Sequence, residues 1–181
     1  MKKRTLLFCL LLILLSVCLS ADDSLSTTEF TEQITALGIP TVESVKKLEA
    51  EASAAYTNKD WQNAAEKFES LAKQANFLAN IIAQGLEPYY SADYDDRKAF
   101  PSSSIRRIVP DETFANSFKN SRNIAFLRQG ICFYNLQKYD EALPLIMKAL
   151  DFISIEDTTL WNEARLYLYQ IIGYKEHQTI I

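Results

Sequence analysis

Apolar residues recur at steps of three and four along most of this chain, which is the spacing of amphipathic α-helices. The spacing holds over residues 48–56, 63–72, 124–136, 141–152 and 160–172. It predicts an all-α protein. Ahead of these stretches, residues 22–40 predict a tether and a short helix, which Gly38 and Pro40 bring to an end.

The helical pattern returns at fixed distances from three aromatic residues, Trp61, Tyr139 and Tyr174. A tyrosine stands five residues before each of them, and a large apolar residue stands thirteen before. In the first two copies small residues occupy the positions nine before and three after the aromatic, where we expect two antiparallel helices to approach closely. These small residues are Ala52 with Ala64 and Gly130 with Ala142.

The segments 59–64 and 137–142, with sequences KDWQNA and QKYDEA, resemble the turn of the tetratricopeptide repeat. The resemblance covers residues 41–78 and 123–156, and residues 157–181 resemble a partial third copy that forms a C-terminal capping helix. The third copy departs from the pattern at Arg165 and His177. The resemblance implies antiparallel helical hairpins stacked in a short right-handed solenoid.

The first two copies are separated by an insert, residues 79–122. Trp61 and Tyr139 lie 78 residues apart, whereas one repeat takes about 34. We expect the insert to lengthen both flanking helices, one to about Glu87 and the other from Asp111 after Pro110, and to leave a loop over residues 88–110. Loops of this length are usually functional or disordered, and the aromatic content argues against disorder. The candidate site residues of this loop are Tyr89, Tyr90, Tyr94, Asp95, Asp96 and Arg97.

The N-terminus has the order of a secretory signal peptide. Lys2, Lys3 and Arg4 precede an apolar run, which ends at the small residues Ser20 and Ala21. This order predicts cleavage after residue 21 and export to a bacterial periplasm, to the cell envelope or to the medium. Two alternatives remain open, namely a lipoprotein modified at Cys18 and an uncleaved membrane anchor. We expect membrane association only under these alternatives.

Charge and cysteine content narrow the functional classes. The chain of 181 residues is 48% hydrophobic, and removal of residues 1–21 would change its formal charge from −4 to −7. We expect no nucleic-acid partner, since such binding depends on basic side chains that neutralise phosphates. Cys132 would be the only cysteine of the exported part, which excludes an intrachain disulfide there. Its apolar helical setting predicts a buried thiol.

The sequence holds no motif that predicts catalysis, a cofactor or a metal. It contains no phosphate-binding glycine loop, no nucleophile elbow and no pair of cysteines in CxxC spacing, and its single histidine is His177, near the C-terminus. Asp93 and Asp95 alternate as in a calcium loop, but Arg97 occupies the third ligand position. A pair of carboxylates that hydrolyses envelope glycan is the remaining enzymatic alternative.

The repeat resemblance implies a concave groove, lined by the first helix of each hairpin, that receives a peptide or a protein. The candidate groove residues are Tyr56, Leu127, Ile131, Tyr134, Leu166 and Tyr169. The tyrosines either line the groove or pack between helices, and the sequence leaves both open. The Lys and Asn clamp by which some family members hold a C-terminal carboxylate is missing.

The sequence therefore predicts an exported, non-catalytic adaptor for a protein or peptide of the cell envelope. A periplasmic helical-repeat protein that binds a small ligand or serves a transporter is the alternative. Self-association into a homo-oligomer is a further expectation, since two and a half repeats are near the minimum for a stable stack.

Overall fold

The computed structural model describes residues 37–175, and these form six helices and no strand. The predicted all-α class is confirmed. The predicted signal peptide and the short helix before Gly38 lie outside the described residues. The helices are α1 (Val42–Thr57), α2 (Trp61–Gln84), α3 (Tyr94–Ala99), α4 (Ser102–Asn135), α5 (Tyr139–Phe152) and α6 (Thr158–Ile172).

The turns after α1 and α4 have the same backbone geometry. Lys59 and Gln137 are both left-handed, with φ of 58° and 60°. The preceding Asn58 and Leu136 have φ of −75° and −81°. The backbone hydrogen bonds repeat as well. The amides of Asn58 and Leu136 donate to the carbonyl oxygens of Ala54 and Cys132, in each case four residues earlier in the chain. The two turns, which lie 78 residues apart, therefore match in conformation, as the sequence predicts.

The end of α6 departs from this geometry. Its left-handed residue is Gly173, with φ of 68°, directly before the aromatic Tyr174. In the first two copies the left-handed residue stands two positions before the aromatic. The third copy thus matches the other two in sequence spacing but not in the conformation of its turn.

Each helix except the short α3 packs against its neighbours in the chain. Contacts join α1 to α2, α2 to α4, α4 to α5 and α5 to α6, and α6 also touches α4. The α2–α4 contact is the most extensive. Two clusters of buried residues result, the first from α1, α2 and α4, and the second from α4 and α5 with α6. Helix α4 contributes to both and is the central element.

The small residues predicted at the helix contacts of the two hairpins lie in the core. Ala52, Ala64 and Ala142 are fully buried. A Cβ atom added at Gly130 would lie 2.8 Å from Ile146 Cγ1 and 3.3 Å from the carbonyl oxygen of Ala142. The close approach predicted from the sequence is therefore confirmed between α4 and α5.

The insert is more helical than the sequence indicates. Helix α4 begins at Ser102 rather than at Asp111, so Pro110 lies inside it, and α3 occupies part of the expected loop 88–110. A proline within a helix leaves the carbonyl four residues earlier without its partner. Here that residue is Arg106, and both Arg106 and Pro110 are exposed, so water can take the place of the missing N–H. Helix α2 ends at Gln84, three residues before the predicted end.

We predict that Gly130→Ala destabilises the protein by about 1 kcal/mol. Overpacking a core usually costs about 1–3 kcal/mol, and the helix propensity of alanine returns about 1 kcal/mol. Urea unfolding measures the difference. Combined with Ile146→Ala, which removes the atom in closest contact, Gly130→Ala should cost less than it does alone.

The control is Asn120→Ala at an exposed position of α4, which gains helix propensity without a clash and should be neutral or slightly stabilising. Equal stabilisation by Gly130→Ala and Asn120→Ala would contradict the close approach of α4 and α5.

Candidate functional site

Two clefts lie against different faces of α4. The first, of about 330 Å³, is bounded by α1, α2, α4 and α6, and we name it the α1 cleft. The second, of about 490 Å³, is bounded by α2, α4 and α5, and we name it the α5 cleft. Each is formed by several helices, and both are candidate binding sites.

Arg128 of α4 connects three helices in the α1 cleft. Its Nη1 donates to Glu163 Oε1 of α6 at 2.5 Å and to the Tyr56 hydroxyl of α1 at 3.4 Å. The guanidinium carbon also lies 5.3 Å from the centre of the Tyr56 ring. The side chains of Arg128 and Glu163 are 24% and 29% exposed, so water screens the ion pair only in part.

Burial and this ion pair shift two pKa values in the cleft. Burial acts to lower the pKa of Arg128, but the hydrogen bond and charge of Glu163 outweigh it, and the pKa is raised. Burial raises the pKa of the Tyr56 hydroxyl, against a smaller opposite effect of Arg128. At neutral pH the cleft therefore holds a guanidinium and an uncharged phenol.

The structure places only one of the six predicted groove residues in the α1 cleft. Tyr56 lines it, beside Glu49 and Ser53 of the same helix. Leu127 and Ile131 are completely buried in the second hydrophobic cluster. They are core residues and cannot touch a partner, because α5 and α6 cover the face of α4 on which they lie.

The other predicted groove residues lie outside the cleft. Tyr134 packs edge-on between Tyr139 and Tyr167, at ring distances of 5.5 Å and 5.0 Å. Tyr169 lies 4.6 Å from Tyr174, and Leu166 is 54% exposed on α6. Since Tyr56 likewise packs edge-on against Trp61 at 5.4 Å, all three tyrosines contact the turn aromatics of their own copies. Tyr134 thus packs between helices, whereas Tyr169 contacts a residue just beyond its own helix, and Tyr56 both packs between helices and lines the α1 cleft.

The sequence reasoning missed Arg128 and Glu163. Both stand eleven residues before the aromatic of their copies, Tyr139 and Tyr174. Opposite charges at one register of successive copies predict an ion pair between successive first helices. This charge pattern is present in the sequence, and Arg128 directly follows the predicted groove residue Leu127.

Arg97 fixes the insert against α4. Its Nη1 donates to Glu112 Oε1 at 2.8 Å, its Nη2 to the Tyr90 carbonyl at 2.7 Å and its Nε to the Ala92 carbonyl at 3.0 Å. Its guanidinium also lies over the buried ring of Tyr89. Arg97 is therefore a structural residue, with each of its three nitrogen atoms bonded within the insert.

The remaining insert residues do not converge on one site. The Tyr90 hydroxyl accepts from Lys119 and donates to Asn116, both of α4. Tyr94 is 75% exposed under the ammonium of Lys98. The carboxylate of Asp95 also pairs with Lys98, while Asp96 is exposed and only its backbone amide is bonded, to the capping Asp93. Among residues 37–175 no group of three or more metal-ligating side chains occurs.

The α5 cleft was not predicted from the sequence. Phe126 and Gln129 of α4 and Phe152 of α5 form its walls, and Arg122 and Lys148 stand at its rim. Arg122 is held by oxygen atoms of Asn76 and Asn123, at 2.8 Å and 3.0 Å. Burial lowers the pKa of Arg122. The cleft thus combines aromatic surface with cationic groups.

No helix in the described part of the chain is both long and apolar enough to cross a membrane. Cys132 is buried and is the free thiol of this region, in agreement with the sequence prediction of a buried residue. Burial raises the pKa of the Cys132 thiol to about 12.

We predict that Glu163→Gln destabilises the protein by about 1–2 kcal/mol, because a hydrogen bond between charged groups is lost and Arg128 stays half-buried without its anion. Thermal and urea unfolding measure the loss. The matched control is Glu69→Gln, which removes an exposed ion pair with Lys73 and should cost less than about 0.5 kcal/mol. Equal effects of the two substitutions would show that the Arg128 pair contributes no more than a surface contact.

We predict that Cys132 resists alkylation while the protein is folded. The reactive species is the thiolate, which a pKa of about 12 suppresses at neutral pH. In a chain with Cys9→Ser and Cys18→Ser, iodoacetamide should modify Cys132 in urea but not in buffer at pH 8. The neutral thiol stabilises the folded state below its unfolded pKa of about 8.5, and this contribution is lost as the pH rises towards 12. Rapid modification of the folded chain would contradict the burial.

Comparisons with protein-family models, with curated proteins and with solved structures found no match to this chain.

Proposed function

We propose that this chain is an exported adaptor of tetratricopeptide type, which binds a peptide or protein segment of the cell envelope without catalysing a reaction. One observation carries the proposal: the turns after α1 and α4, which lie 78 residues apart, agree in dihedral angles and in hydrogen bonds. Two such hairpins, followed by α6, are the arrangement expected of a short helical-repeat stack, and stacks of this kind present extended binding surfaces.

The order of helix contacts supports the same architecture. In a stack of hairpins, the first helix of each copy packs against the second helix of the preceding copy. Here α4 packs against α2, and α6 packs against α5 and α4. The right-handed solenoid and the N-terminal signal peptide remain parts of the proposal.

The α1 cleft is the place where we expect the segment to bind. It is formed by the first helices α1, α4 and α6 together with α2. Arg128 and Glu163 are paired with each other, and Glu49 adds a second carboxylate to the lining, so the cleft should favour a segment that donates hydrogen bonds. Ser53 and Glu49 supply accessible polar groups at the edge of the cleft.

A photo-crosslinking residue at Ser53 tests the proposal. Ser53 is exposed and lines the α1 cleft. Ser70 of α2 is also exposed but lines neither cleft. Irradiation of envelope extracts should attach one protein to the Ser53 variant and none to the matched Ser70 variant. Tyr56→Ala is less suited to this test, since its loss would remove packing against Trp61 and Phe68.

Absence of any Ser53-specific product, with both variants folded, would contradict the adaptor proposal. The small-ligand alternative would then be favoured, since both clefts fall within the range of about 300–1,000 Å³ that is usual for ligand pockets. A rise of the unfolding temperature with an envelope metabolite would support that alternative.

A further inference from the structure

The α5 cleft is lined by a largely buried polar residue of α4, Gln129. Gln129 is only 6% exposed. Its side-chain amide makes no hydrogen bond to any residue of the described chain, and neither amide atom is sealed from solvent. The amide therefore offers a donor and an acceptor that a ligand in the cleft can bond in place of water.

The cleft also has an excess of positive charge. Lys73 is paired with Glu69 at 2.5 Å. Arg122 is bonded only to the neutral amide oxygens of Asn76 and Asn123, and Lys148 has no carboxylate within ion-pair distance among residues 37–175. Two cations thus remain uncompensated in a chain whose formal charge is −4. An anion is the complementary occupant.

Aromatic rings hold these two cations in place. The Lys148 ammonium lies 3.9 Å from the centre of the Phe126 ring, and the Arg122 guanidinium lies 5.0 Å from that of Phe152. Phe152 is also 49% exposed. Cations fixed over rings lose little freedom when an anion binds, and the free parts of the rings offer apolar contact beside the charge. The occupant should therefore join an anionic group to an apolar body.

The length of the cleft matches that of a short extended peptide segment. Its lining on α4 runs from Arg122 to Gln129, and its lining on α5 runs from Leu145 to Phe152. Each distance is two helical turns, roughly 10 Å at about 1.5 Å per residue. An extended chain covers about 3.3–3.6 Å per residue, so three residues span the cleft.

We infer that the α5 cleft binds an internal peptide segment in which a Glu or Asp lies between large apolar residues. The carboxylate meets Lys148 and Arg122, the backbone of the segment meets the Gln129 amide, and the apolar side chains lie on Phe126 and Phe152. This site lies on a different face of α4 from the α1 cleft and does not depend on the function proposed for that cleft.

Titration of the full chain with acetyl-Leu-Glu-Phe-amide tests the inference. The readouts are the dissociation constant and the NMR signals of the Gln129 side-chain amide, which Gln129→Leu identifies by their loss. We expect saturable binding with a shift of these signals. Acetyl-Leu-Gln-Phe-amide should bind about tenfold more weakly, since it lacks the charge, and the affinity for the Glu peptide should fall as salt is added.

Variants of the exposed Lys148 separate binding from folding. Lys148→Glu should weaken the binding of the Glu peptide about tenfold or more. Lys148→Arg keeps the charge and should restore the affinity. Lys46→Glu, at an exposed position of α1 outside both clefts, makes the same change in net charge and should leave the affinity within about twofold. Unfolding temperatures verify that each variant is folded.

Three outcomes would overturn the inference. They are absence of binding at roughly 5 mM peptide, equal binding of the Glu and Gln peptides, and equal weakening by Lys148→Glu and Lys46→Glu. A fourth outcome concerns the source of the carboxylate. If 3-phenylpropanoate binds as tightly as the peptide, the ligand is a small acid and not a peptide segment. None of these results bears on cross-linking at Ser53, so the two proposals fail separately.

Discussion

The close approach of α4 and α5 at Gly130 is the constraint on which the rest of the structure depends. A Cβ atom on residue 130 would stand only 2.8 Å from Ile146 Cγ1, so the helices can approach this closely because residue 130 has no side chain. Leu127 and Ile131, which flank Gly130 in the sequence, are buried in the second cluster. The same approach affects the spacing of Gln129 and Lys148, which line the α5 cleft from α4 and α5. A change in one interhelical distance would thus alter both the core and a candidate binding site.

Helix α4 serves both clefts through adjacent residues. Arg128 points towards α1 and α6, whereas Gln129 lines the cleft towards α2 and α5. Successive residues of a helix differ in direction by about 100°, so one turn of α4 supplies groups to two separate surfaces. Because both clefts share this turn, a rotation of α4 at one cleft would also move the residues that line the other.

The sequence predicted every described helix except α3, the two matching turns and the close contacts at Gly130, because these depend on local spacing and on the size of single residues. It did not predict which faces of α4 stay accessible. Leu127 and Ile131 occupy the expected register, but spacing alone cannot reveal that α5 and α6 cover that register. The start of α4 was misjudged for a related reason: Pro110 usually ends a helix, and only the exposure of the neighbouring backbone explains why it does not do so here. The α5 cleft depends on three helices brought together, and no motif marks it.

Three residues, 58–60 and 136–138, join the two helices of each hairpin, whereas 17 residues, 85–101, separate α2 from α4. Contacts that close short loops cost less chain entropy and form faster. The α1–α2 and α4–α5 hairpins are therefore suited to form before the α2–α4 contact, which is the most extensive of the fold. In this order of assembly the insert, fixed to α4 by Arg97, keeps two hairpins together while they dock.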